Sequence, residues 1–166
     1  MFLKRIVAIV VAALTLTGCA TYVNIPAQER DVALHQPTYD VVTDVIAASF
    51  AAVLADRPID GPYRIVMPAG TLASQYAQVG AALGPQATWS LQGGDQALPT
   101  LDARQVRIRG FDAEVDVLRP VDATQPAGFQ QLVTVYLHDD LMDDWKAVNL
   151  RAWRMNPDEA LRMNQE

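Results

Sequence analysis

The 166-residue chain contains one cysteine, two histidines and two lysines. A single Cys19 excludes an internal disulfide and a zinc–thiolate cluster. His35 and His138 are the only imidazoles, so any histidine-dependent chemistry would rest on one or both of them. No apolar run reaches the ~20 residues that a bilayer-spanning helix needs. The longest, Ile6 to Leu16, is already interrupted by Thr15. Positive charge is also scarce: 13 basic residues face 19 acidic ones, for a formal net charge of −6. That balance argues against nucleic acid as a partner, because nucleic acid requires a basic footprint. It also excludes broad adhesion to anionic lipid headgroups.

The N-terminus is the most specific part of the chain. Lys4 and Arg5 precede the apolar run, which has the length of a signal-peptide core, and the run ends at Leu16-Thr17-Gly18-Cys19. This tetrapeptide, at this position, resembles the lipobox of bacterial lipoproteins. The resemblance implies cleavage before Cys19, a diacylglycerol on its sulfur and a further acyl chain on the new amino group. Each buried CH₂ of such chains contributes about 0.8 kcal/mol, so two or three chains hold a protein to a membrane essentially permanently. Ala20, where a retention signal would place aspartate, implies the periplasmic face of the outer membrane. Loss of Lys4 and Arg5 with the leader would lower the formal net charge from −6 to −8. The expected organisation is a lipoprotein signal peptide over 1–18, a lipid-anchored tether over 19–37 and one α+β domain over 38–166.

Periodicity divides that domain in two. Val41, Val42, Val45, Ile46, Phe50, Val53 and Leu54 recur at helical spacing after a Thr38 cap. Tyr63–Pro68 is a short strand, and Leu72–Leu83 a second helix stopped by Gly84-Pro85. Residues 84–103 are expected to be a long loop. The period then changes from 3.6 to 2. In "QVRIRGFDAEVDVL" a tip at Phe111-Asp112 would pair Arg109 with Glu114, Arg107 with Asp116, Ile108 with Val115 and Val106 with Val117. Phe129–Leu137 and Trp145–Trp153 are two more strands, and Asn156-Pro157 opens a short C-terminal helix. The pattern predicts an α+β fold: a mainly antiparallel sheet of four to five strands, two helices on one face and that terminal helix. The order resembles cystatin-like and nuclear-transport-factor-like folds, which implies a pocket between helix and sheet.

Candidate sites are few. His138, Asp139, Asp140, Asp143 and Asp144 offer oxygen and imidazole ligands in one loop, but without the glycine or distal glutamate of an EF-hand, and an ordinary solvated hairpin loop is the better reading, with no metal expected. Ser49 and Ser74 lie in expected helices, and no serine has a nucleophile-elbow context. Asp112, Glu114 and Asp116 face Arg107 and Arg109, which reads as cross-strand ion pairing ahead of glycosidase-type chemistry. Trp145 and Trp153 stand eight residues apart. In a regular strand both share a face with Arg151; either helices cover this face and the tryptophans are core, or Tyr136 joins them in an exposed aromatic–arginine surface suited to a partner or a glycan. No cofactor motif is present. The expectation is a non-enzymatic envelope lipoprotein, held to the membrane through Cys19 and binding an envelope protein or component. The alternatives are a binder of a small apolar ligand and, behind it, a hydrolase.

Overall fold

Strand alternation in the second half of the chain dictates most of the architecture. A computed structural model describes residues 22–26, 36–90, 98–121, 130–140 and 144–153. The expected leader and lipobox, His35, Asp143 and the expected C-terminal helix lie outside the described residues. Among these residues the chain is α+β, with two helices packed on a seven-stranded, mostly antiparallel and partly mixed open sheet. The elements are β1 (Tyr22–Ile25), α1 (Asp40–Asp56), β2 (Tyr63–Val66), α2 (Ala73–Leu83), β3 (Ala87–Thr88), β4 (Thr100–Arg109), β5 (Asp112–Pro120), β6 (Gln130–His138) and β7 (Lys146–Ala152).

Strands β4 to β7 form an antiparallel meander, and β3 and β2 continue the order on the other side of β4 in parallel register. One edge of β4 serves two partners. Its start pairs with β2, and its end pairs antiparallel with β1 through Tyr22↔Arg109 to Ile25↔Val106. The seven strands exceed the four to five expected. β1 falls inside the stretch expected to be a tether, and β3 inside the expected loop. Val23 and Ile25 of β1 are fully integrated in the core.

The core lies between the helices and one face of the sheet. Val42, Val45, Ile46, Phe50 and Val53 of α1 pack against Val106, Ile108, Val115, Val117, Val133, Val135 and Leu137. Burying each such side chain contributes about 1.5–3 kcal/mol. α2 is fastened beside α1 by Gln75, which donates from Nε2 to Thr43 Oγ1 (2.8 Å) and to the Pro37 carbonyl (3.0 Å) while its Oε1 caps the Leu72 N–H (3.1 Å). Trp89 stacks on Tyr76 with ring centroids 5.4 Å apart, closing the outer side of α2.

Two irregularities correct the expected strand pairing. The β4–β5 tip is Gly110-Phe111, not Phe111-Asp112, so Arg109 lies opposite Asp112 and Arg107 opposite Glu114. Gly110 adopts φ +63°, a left-handed conformation that glycine takes without strain and that permits the tight turn. A shift of two residues keeps every side chain on its face, so the apolar pattern alone could not reveal it. In β7, Asn149 pairs with Tyr136 but Ala147 with Leu137, leaving Val148 as a bulge. One extra residue inverts the alternation beyond it.

Candidate functional site

The face of the sheet turned away from the helices carries a linked set of polar side chains. Its residues follow from strand alternation: Arg107 on β4, Glu114 and Asp116 on β5, Thr134 and Tyr136 on β6, Asn149 and Arg151 on β7. Arg107 bridges two carboxylates, with Nε 3.0 Å from Glu114 Oε2 and Nη1 3.0 Å from Asp116 Oδ2. The other oxygen of Asp116 accepts the Thr134 hydroxyl at 2.6 Å. Thr134 Oγ1 in turn accepts the indole N–H of Trp153 at 2.9 Å. The Arg151 guanidinium then lies over the Trp153 ring, 3.8 Å from its centroid. A continuous chain of contacts therefore crosses four strands and ends on an aromatic ring that remains 38% exposed.

Each link has a local cause. Thr134 sits between the core residues Val133 and Val135, so strict alternation turns its hydroxyl to the open face, where register sets it opposite Asp116. Trp153 follows directly on β7, and its backbone N–H donates to the Leu132 carbonyl at 2.9 Å. That bond carries the strand geometry one residue further and holds the indole above Thr134.

The aromatic–arginine surface is thus assembled from Tyr136, Arg151 and Trp153, and Trp145 is separated from it. The bulge at Val148 turns Trp145 toward the helix side, where it is half-buried against the core. The loop candidates are dispersed as well. His138 Nδ1 lies 2.8 Å from Asp112 Oδ1, both exposed, while Lys146 lies 3.9 Å from Asp140. Asp139 donates its backbone N–H to the Phe111 carbonyl at 2.8 Å. Asp144 contributes instead to a carboxylate group near α1: burial first, then the charges of Asp40 and Asp144, raise the pKa of Asp44. Among the described residues, no three His, Cys, Asp or Glu side chains converge as metal ligands. The Ser49 hydroxyl is buried and donates to the Val45 carbonyl at 2.7 Å, within its own helix.

One further carboxylate is unusual. Asp102, at the β2 end of the same open face, is largely buried, and burial raises its pKa although Arg104, 3.0 Å away, and Arg64 pull it down. A small cleft between Val53, Pro58, Ile59, Leu101 and Pro120 encloses about 210 Å³, solvent at its mouth included. Arg119 lines it, held by Asp56 and Gln131. Comparisons with protein-family models, curated proteins and solved structures found no match to this chain. No helix among the described residues is long and apolar enough to cross a membrane.

The Asp116–Thr134–Trp153 chain was not anticipated from the residues alone. The available signal was Thr134, a lone polar residue centred between two valines. Its partner becomes apparent only once the β5–β6 register is known.

Proposed function

We propose that the chain is a lipid-anchored protein of the cell envelope, held through acyl chains on Cys19 at the periplasmic face of the outer membrane. Its folded domain binds a partner protein or envelope component through the open face of the sheet, and its role is binding, not catalysis. The observation that carries this reading is the fixed Trp153 ring. A partly exposed tryptophan gains only part of its possible burial energy on folding, yet here its indole N–H, its π-face and its backbone are all held. A surface aromatic that is already ordered loses little conformational entropy when a partner covers it. Tryptophan, tyrosine and arginine are also the residues that dominate binding energy at interface centres. A small apolar-ligand pocket is less well supported, because the cleft beside Arg119 is open at its mouth and leaves room for only about one water molecule.

The test is a photo-crosslinking amino acid placed at Tyr136 or, as control, at the exposed Ala82 on α2, in cells producing the full chain. A single dominant adduct from position 136, lost with Trp153→Ala and absent from position 82, is the expected result. Equal labelling from both positions would remove the open face from consideration.

A further inference from the structure

The first strand begins very close to the proposed lipid. Tyr22, the first residue of β1, is three residues after Cys19. Three residues span at most about 10 Å however they are arranged. The chain therefore has no long spacer between an acylated Cys19 and the folded sheet, in contrast to the tether expected over 19–37. Direction matters as much as length. β1 runs antiparallel to β4, with Tyr22 opposite Arg109. Traced backwards, the chain leaves β1 at the same end of the sheet at which β4 turns into β5.

That end presents a hydrophobic tip. Phe111 is 49% exposed at the apex of the two-residue Gly110-Phe111 turn. The turn is supported from β6, since Asp139 donates its N–H to the Phe111 carbonyl at 2.8 Å. Beside the tip, Asp112 is held by His138 Nδ1 at 2.8 Å and stands opposite Arg109, while Lys146 lies 3.9 Å from Asp140. Arg109 and Lys146 place positive charge at this end, against the acidic balance of the whole chain. An exposed phenylalanine on a braced tip gains nothing from water, whereas at a bilayer interface its ring is buried among headgroups and upper acyl chains.

We propose that the β4–β5 tip, with Phe111 at its apex, rests in the headgroup layer of the membrane that holds Cys19, so that the sheet stands on the bilayer by its strand ends. This rests on the lipid-anchor reading above. It leaves the open face directed sideways along the membrane surface.

The test uses the acylated full-length mature chain in vesicles of phosphatidylethanolamine with a minor share of phosphatidylglycerol, doped with lipids carrying a nitroxide high on the acyl chain. Acylation blocks Cys19, the sole cysteine, so an environment-sensitive fluorophore reacts only with an introduced thiol. One labelled chain carries Asp112→Cys at the tip. The other carries Asp60→Cys, an exposed position just before β2, which lies alongside the start of β4. The ends of β4 are about 30 Å apart. Several-fold stronger quenching at Asp112→Cys than at Asp60→Cys is expected, with most of that difference lost on adding Phe111→Ser. Equal quenching at the two positions, or a difference untouched by Phe111→Ser, overturns the proposal. Mass analysis of the same sample separates the two readings. An acylated chain with an unquenched tip overturns the docking alone, and an unacylated chain overturns both.

Discussion

The two faces of this sheet are built from the same strands by different physics. On the helix side Val106, Val115, Val133 and Val135 are interchangeable members of one apolar layer, each held by many weak contacts. On the open side, Arg107, Glu114, Asp116, Thr134 and Trp153 are held by individual hydrogen bonds with particular partners. A packed layer distributes the effect of a lost atom. A linked polar chain passes the loss of one member to the next. The comparison separates what stabilises this domain from what shapes its surface.

The largest effect should come from the helix side. Phe50, fully buried on α1, is expected to cost about 3–5 kcal/mol when changed to alanine, read as a lower denaturant midpoint with the open-face chemistry unaltered. A loss under about 1 kcal/mol would contradict the assignment of Phe50 to the core. Asp116→Ala should cost less, about 1–3 kcal/mol, because it leaves Arg107 and Thr134 each without one acceptor. Its distinguishing sign is at a distance, since Trp153 should gain mobility and its fluorescence should become easier to quench. Unchanged Trp153 fluorescence in Asp116→Ala would show that the chain of contacts does not transmit.

The smallest effect concerns pH. Burial raises the pKa of Asp102 above the usual 3.8, so the folded state binds the proton more tightly than the unfolded chain. The destabilising contribution is complete at neutral pH and is relieved as the pH falls through the raised value toward 3.8. Asp102→Asn should therefore remove a stability increment that the parent gains on mild acidification. Parallel pH profiles of the melting temperature for the two chains would count against this.

Local periodicity made α1, α2 and the β4–β7 strands legible, because each carries enough apolar residues to define its own period. β3 was not, since the two residues Ala87 and Thr88 have no period and owe their pairing to Tyr63 and Arg64, more than twenty residues away. β1 was not, because a four-residue strand without a sustained period looks like a linker until β4 supplies its partner. The aromatic surface was half legible. Tyr136, Arg151 and Trp153 do share the open face, but the residues from Trp145 to Trp153 are compatible with unbroken alternation, and only pairing with β6 exposes the bulge at Val148. The missing information was register in each case, which is a property of two strands together.

That bulge has one more consequence. Among the described residues β7 ends the order of the sheet, and Val148 at its centre is 66% exposed, a combination that invites neighbouring copies to add strands and aggregate. The bulge breaks the straight line such an addition would follow. One residue on, the Asn149 side chain folds back so that its Oδ1 accepts the Leu150 N–H at 2.8 Å, occupying a donor that an incoming strand would use. At high local concentration, these features keep crowding from becoming polymerisation.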